Sequence, residues 1–117
     1  MASSEIYRYL PVLDQEVALD PEGFLVDMAD WTPAVAEALA AEEGRILTAE
    51  HWEVIQVLRD FYERYEVAPA MRPLVKAVGL ALGAEKGKSL HLMRLFPDSP
   101  AKVGARLAGL PKPANCL

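Results

Sequence analysis

One thiol stands at the end of the chain. Cys116 is the only cysteine among 117 residues, and only Leu117 follows it. The stretch leading to it is Arg106-Leu107-Ala108-Gly109-Leu110-Pro111-Lys112-Pro113-Ala114-Asn115-Cys116-Leu117. The thiolate is the nucleophilic form of cysteine, and a side chain this close to a terminus is rarely packed into a core. Each proline holds φ near −65° and removes a backbone donor, so Pro111-Lys112-Pro113 is expected to be extended rather than helical. Seven residues lead from Gly109 to Cys116. As a polyproline-like arm they would reach about 20 Å. The residues describe two things equally well: a reactive sulfur on a short stiff arm, or a frayed tail that ends in cysteine. Lys102, Arg106 and Lys112 are the cations nearest the thiol in sequence. They could favour the thiolate and dock a partner, or serve only solubility and the charge at a helix C-terminus.

Several blocks of sequence resemble one family. Leu95-Phe96-Pro97, Pro100-Ala101-Lys102, Ala108-Gly109-Leu110-Pro111-Lys112-Pro113 and the penultimate Cys116 resemble the C-terminus of the DsrC/TusE family of small sulfur carriers. Upstream, Glu50-His51-Trp52-Glu53-Val54, Arg59-Asp60-Phe61-Tyr62, Pro69-Ala70-Met71-Arg72, Leu74-Val75-Lys76 and Glu85-Lys86-Gly87 fit the same family. The likeness runs from about Leu19 to the end, and the blocks are specific together rather than singly. It implies that Cys116 accepts sulfane sulfur as a persulfide and passes it on. It also implies a sulfur-donor complex of the TusBCD type and an acceptor tRNA thiouridylase that builds 2-thiouridine at the wobble position. Two-cysteine members of the family carry a second cysteine eleven residues before the penultimate one. Here that position is Ala105, which places the chain in the single-cysteine branch and implies handover without an internal disulfide cycle. The alternative within the family is a carrier for dissimilatory sulfur metabolism beside sulfite reductase.

Composition sets the limits. A chain of this length suits one domain, 1–117. Apolar residues make up 52% of it, enough for a real core. No apolar run approaches the ~20 residues of a membrane helix, and Met1-Ala2-Ser3-Ser4-Glu5 lacks the basic and apolar regions of a signal peptide. A lone cysteine makes no intrachain disulfide, which fits a reducing compartment, and a cytoplasmic location is expected. The net charge of −5 is unevenly divided. Residues 1–82 carry six Lys/Arg against fifteen Asp/Glu, whereas residues 83–117 carry six against two. The acidic body argues against a general nucleic-acid binder. The basic end is either a setting for the thiol or an ordinary solvated charge distribution.

The elements that must carry the arm follow from local signals. Residues 1–13 show no period and are expected to form an N-terminal arm. Short apolar runs at 16–19 and 24–26 flank Asp20-Pro21-Glu22-Gly23, which predicts a β-hairpin. Thr32-Pro33 starts a helix that runs to about Glu43 and stops at Gly44. Thr48 caps the next, about 49–65. There Val54, Leu58, Phe61 and Tyr65, widened by Trp52, Ile55 and Tyr62, form the apolar stripe of the expected central helix. Pro69 opens a third helix, about 70–82, whose Met71, Leu74, Val75, Val78 and Leu82 face inward. A short helix, about 88–95, is expected to turn Leu90, Met93 and Phe96 inward and His91 to its polar side. Ser99-Pro100 starts the last helix, which ends at Gly109 and releases the arm, 109–117. The fold class is therefore mainly α with a small N-terminal hairpin: five helices and a mobile C-terminal arm.

Other chemistries find little support. His51, His91 and Cys116 lack metal-ligand spacing, so neither a metal nor a cofactor is implied. His51 reads as a first-turn or packing residue, and a Cys116–His91 nucleophile pair has no backing from chain order. Arg59, Asp60, Glu63 and Arg64 read as a solvated helix face. Helices 49–65 and 70–82 have the look of a helix-turn-helix with the hairpin as a wing, the alternative of another class. Only Arg72 and Lys76 would be there to meet DNA, in an acidic half, so no direct DNA binding and no membrane partner are expected.

Overall fold

The computed structural model describes residues 5–114. Strands β1 (Arg8–Val12) and β2 (Gln15–Leu19) form an antiparallel hairpin. Helices α1 (Pro33–Glu42), α2 (Ala49–Tyr65), α3 (Met71–Leu82), α4 (Ser89–Leu95) and α5 (Pro100–Leu107) follow, with one 3-10 turn at Met28–Asp30. Five helices and an N-terminal hairpin are the expected architecture. The hairpin, however, lies upstream of its expected place. Residues 8–12 are its first strand rather than part of an arm, and residues 24–26 contribute only a bridge from Leu25 to Leu19. The cause is the two-residue loop Leu13-Asp14, where Leu13 takes φ +56°. No glycine or asparagine marks that turn, and Pro11 interrupts the strand that precedes it, so neither usual signal is present. Alternation then buries Leu10, Val12, Val17 and Leu19 on one face.

Helix starts follow the local chemistry. Thr32 Oγ1 accepts from Val35 N at 3.2 Å, and Pro33 occupies the first helical turn. At α2, Thr48 and His51 form a reciprocal capping box. The Thr48 backbone N–H donates to His51 Nδ1 at 3.0 Å. A backbone amide can only donate, so Nδ1 is unprotonated and the proton sits on Nε2. Nε2–H then donates to Leu95 O at 2.9 Å, one of the carbonyls that the end of α4 leaves open. The ring also stands edge-on to the fully buried Phe96, with centroids 5.3 Å apart. His51 is thus both the expected first-turn residue and the joint between α2 and α4.

The centre of the fold is α5 rather than α2. It packs against α1, α2, α3 and α4. Ala101, Gly104, Ala105 and Ala108 let those neighbours approach, and a Cβ on Gly104 would stand 2.9 Å from Leu58 Cδ1. On α2 the buried face is Val54, Ile55, Val57 and Leu58, while Tyr65 is exposed and stacks on Phe61 at 4.6 Å. On α3, Leu74 and Val78 are buried and Met71, Val75 and Leu82 partly so. The short α4 is turned by one position from expectation. His91, Leu92 and Leu95 face inward; Leu90 and Met93 are exposed. Seven residues are two turns, too few for spacing alone to fix which face is apolar. His91 is thereby buried, with Nε2 lacking a hydrogen-bond partner among the described residues. No helix among the described residues is long and apolar enough to cross a membrane.

Removing the joint tests this account. His51→Ala should lower stability by about 1–3 kcal/mol, because a helix N-terminus and the Leu95 carbonyl both lose a partner. Urea unfolding should show a lower midpoint with unchanged slope. An unchanged midpoint would mean that solvent replaces both bonds without loss.

Candidate functional site

The end of α5 fixes how the chain leaves the body. A helix C-terminus leaves four carbonyls without intrahelical partners. Here they are all satisfied. Gly109 takes φ +75°, a left-handed conformation natural to glycine. It closes a Schellman motif: Leu110 N donates to Ala105 O at 2.9 Å and Gly109 N to Arg106 O at 3.2 Å. The last two carbonyls are taken from outside the helix. Trp31 Nε1 donates to Leu107 O at 2.8 Å, and Arg59 Nη1 donates to Ala108 O at 2.7 Å. The Arg59 guanidinium also lies 3.8 Å from the centre of the Trp31 ring. Gly109 also lies against Trp31, and an added Cβ there would overlap the side chain. Burial pushes the Arg59 pKa down, opposed by the nearby carboxylates of Asp60 and Glu63. Arg59 is therefore not the solvated residue its neighbours in sequence suggest.

The segment beyond Gly109 stays on the body. Leu110 and Pro113 are buried and Pro111 is half-buried. Lys112 Nζ reaches Glu22 Oε1 at 3.1 Å, and Lys102 Nζ reaches the same oxygen at 3.0 Å. The expectation of a mobile arm beginning at Gly109 is thus corrected for residues 109–113. The prolines and the leucine bury apolar surface here, and Lys112 has a fixed anion. Alongside runs a groove of about 650 Å³, whose lining includes Val26, Met28, Tyr62, Val67, Pro111 and Ala114. Asn115, Cys116 and Leu117 lie outside the described residues, and so does the predicted nucleophile.

Of the three supporting cations, Lys102 and Lys112 are brought together on Glu22. Arg106 pairs with Glu43, which also holds Arg45 Nε at 2.8 Å. Arg106, Glu22 and Gly23 share a second cleft of about 310 Å³ with Arg8 and Glu42. The two lysines hold the Glu22 carboxyl below the usual carboxylate range. Ala105, the position to which the resemblance assigns the second cysteine of two-cysteine members, lies on α5 and is fully buried. Among the described residues no three His, Cys, Asp or Glu are placed to hold a metal. Trp31 and Arg59, which fix the exit, carry no local mark in the sequence. They act across 76 and 49 residues of chain.

Among the described residues, a small helical body thus fixes the root of the segment that leads to Cys116. The family described as "DsrC like protein" matches residues 11–117. Sulfurtransferase TusE of Salmonella paratyphi A is 48% identical over 103 residues, covering 88% of this chain and 94% of that protein. The sulfurtransferase TusE homolog of Haemophilus influenzae is 51% identical, covering 87% and 94%. Among solved structures, Allochromatium vinosum DsrC aligns with a TM-score of 0.85 and 49% identity, over 93% of this chain and 97% of that one. The oxidized gamma-subunit of the dissimilatory sulfite reductase from Archaeoglobus fulgidus aligns at 0.82 and 40%, over 94% and 100%. The chain belongs to the DsrC-like family.

The exit geometry predicts a coupling between Trp31 and Gly109. Trp31→Phe should cost about 1–3 kcal/mol by orphaning the Leu107 carbonyl. Gly109→Ala should cost roughly 1–2 kcal/mol for the left-handed backbone alone, and more because of the indole. In a Trp31→Ala background that extra cost should disappear, which a double-mutant cycle by urea unfolding reads directly. Additive effects would contradict the contact.

Glu22 gives a pH-dependent expectation. Its folded pKa is depressed, so its hold on Lys112 is complete above the ordinary carboxylate range and is lost as pH falls through the lower folded value. Glu22→Gln should speed amide exchange at Lys112 and Ala114 near neutral pH. Global stability should fall by less than about 1 kcal/mol, because the pair is exposed to solvent. Wild type and variant should converge once the pH is below the folded pKa. A difference that persists in acid would assign the effect to something other than the ion pairs.

Proposed function

We propose that this chain is a sulfur-relay carrier acting in tRNA thiolation, with Cys116 as its persulfide-forming nucleophile. Its thiolate attacks the outer sulfur of a donor persulfide. The donor's S–S bond breaks, the donor thiolate leaves, and a new S–S bond forms on Cys116. One sulfane sulfur changes hands with no net oxidation, and the same exchange in reverse roles passes it to the acceptor. The exchange needs an accessible thiolate and a good leaving thiol. It needs neither a metal nor a fixed general base.

The observation that carries this reading is the family membership of a chain whose single cysteine stands one residue from the end of a rooted tail. Relatives named sulfurtransferase, matched over nearly their whole length, support it. The relay works with other sulfur-transfer proteins: a donor complex of the TusBCD type and a tRNA thiouridylase that makes 2-thiouridine at the wobble position. A cytoplasmic location follows from that substrate. The likeness to gamma-subunits of dissimilatory sulfite reductase is one of family. The second cysteine that would make an internal redox pair is replaced by Ala105.

The rooted tail shortens the proposed reach. Attachment persists to Pro113, and only Ala114 and Asn115 stand between it and Cys116, a reach of about 10 Å of extended chain. The partner must then approach the body near the Pro111–Ala114 groove rather than meet a long free arm. Lys102, Arg106 and Lys112, being paired, serve the sulfur indirectly: Lys102 and Lys112 through Glu22 by holding the tail, Arg106 through Glu43 by holding α5.

Intact-mass analysis after exposure to inorganic polysulfide tests the nucleophile. Wild type should gain one sulfur atom, about 32 Da, removable by a thiol reductant. Cys116→Ser should gain none while unfolding at the same urea concentration as wild type. An adduct retained by the Ser variant would remove Cys116 from the role.

A further inference from the structure

The twelve Lys and Arg residues divide sharply by what they touch. Arg8 pairs with Glu42, Arg45 and Arg106 with Glu43, Lys86 with Glu53, and Lys102 and Lys112 with Glu22. Arg59 caps α5 and stacks on Trp31, and Arg64 lies over Tyr65. Four cations remain without a carboxylate or aromatic partner among the described residues: Arg72, Lys76, Lys88 and Arg94. All four are exposed, and all four fall on α3, α4 and the turn between them. In a chain of net charge −5 the α3–α4 side is thus basic: residues 71–95 carry five Lys/Arg against one carboxylate, Glu85.

The same face carries unburied apolar surface. Leu80, Leu90 and Met93 are exposed. A groove of about 590 Å³ opens between the start of α3 and the end of α4, walled by Met71, Arg72, Pro73, Met93, Pro100 and Ala101. Gly87 backs onto Gly79, which holds the start of α4 against α3. Arg72 is at the groove itself, Lys76 is one turn along α3, and Arg94 adjoins Met93.

We propose that this face is the docking surface for a partner protein that is acidic around an apolar anchor. The anchor side chain enters the groove, and its carboxylates meet Arg72, Lys76 and Arg94. Exposed cations set partner choice and association rate, while a desolvated apolar contact at their centre supplies the hold. Nucleic acid suits the surface less well. Residues 71–95 hold no Phe, Tyr or Trp, and the ring of His91 is buried, so the stretch offers no exposed aromatic side chain on which a base could stack. The groove is walled mainly by apolar groups, which suit an inserted apolar side chain rather than a phosphate. The face lies at the start of α5, whereas the tail leaves from its end. A partner can therefore grip the body without covering the root of the tail.

The proposal rests on the relay reading only for its probes, the purified donor complex and tRNA thiouridylase of the same organism. Association of the full chain with each is titrated at low and physiological salt, on wild-type and Cys116→Ser protein alike, so that sulfur loading plays no part. Arg72→Glu should weaken binding to at least one of the two by about tenfold or more at low salt, and by less as salt rises. Met93→Asp should weaken the same complex, whereas Arg64→Glu, with the same charge change as Arg72→Glu, should alter it by less than about twofold. Each variant is first shown to melt as wild type and to take up sulfur from polysulfide. Failure of the relay reading would appear separately, as wild type that takes up no sulfur. The docking proposal is overturned if wild type binds neither protein, or if Arg72→Glu and Met93→Asp bind both as wild type does. It is also overturned if Arg72→Glu weakens only binding to tRNA or duplex DNA, because the face would then read phosphate.

Discussion

Four carbonyls at the end of α5 cannot be left to water, and much of this structure follows from how they are satisfied. Six of the eight helical residues are buried, and Ala108, Gly109 and Leu110 beyond them are buried too. A buried carbonyl without a partner costs about as much as a lost hydrogen bond. Gly109 turns the chain so that two carbonyls are met from the backbone. The other two require donors from elsewhere, and Trp31 and Arg59 supply them. The indole then serves three neighbours at once: the carbonyl, the guanidinium and the glycine. None of these can change size or direction alone. The turn that carries Trp31 is itself set by Asp27, whose carboxylate accepts from Ala29 N at 2.9 Å.

The same arrangement explains why the tail is rooted. Once Gly109 has sent the chain across Trp31, Leu110 and Pro113 find apolar surface and Lys112 finds Glu22. Prolines on either side of the lysine leave little backbone entropy to lose on docking. Glu22 is itself placed by the turn after β2. There Asp20 Oδ1 accepts from Glu22 N at 2.9 Å and Phe24 N at 3.0 Å. The hairpin end and the tail are thus one construction, although about ninety residues separate them. A carrier built this way has its tail fixed as far as Pro113, which lowers the ordering cost of meeting a partner through it.

What the sequence made legible was local. Thr32-Pro33, Thr48, Ser99-Pro100 and Gly109 set helix limits through their own backbone preferences, and the elements stand within a residue or two of them. Where the signal depended on phase over few residues it misled. On α4, Leu90 and Met93 repeat at the same interval as Leu92 and Leu95, and only the packing of α4 on α5 chooses between them. Leu13 shows a further limit. Its left-handed backbone is imposed by pairing of Leu10 with Val17 and Val12 with Gln15, not by its own preference. Arg59 shows the last. Flanked by Asp60, Glu63 and Arg64, it looks like its neighbours, and only a carbonyl 49 residues away distinguishes it. The thiol was legible by position alone, because one cysteine next to the terminus needs no fold to be noticed.

Charge is divided in a way that suits a carrier. Near the tail, carboxylates on Glu22 and Glu43 each hold two cations, so positive charge there is spent on internal order. An unpaired lysine beside the tail would favour the thiolate more strongly, but it would also raise the chance of unselective encounters with anions. On α3 and α4 the reverse holds: Arg72, Lys76, Lys88 and Arg94 have no carboxylate or aromatic partner among the described residues. Charge that has no structural work to do is free to act between molecules, where its range is about 8 Å at physiological salt. With the proposed recognition face at one end of α5 and the root of the tail at the other, the helix spaces the two by about 12 Å, at 1.5 Å for each of its eight residues. A relay protein must let go of one partner before it serves the next. Separate contacts for gripping and for exchange allow each to be weak enough to release while their combination remains selective.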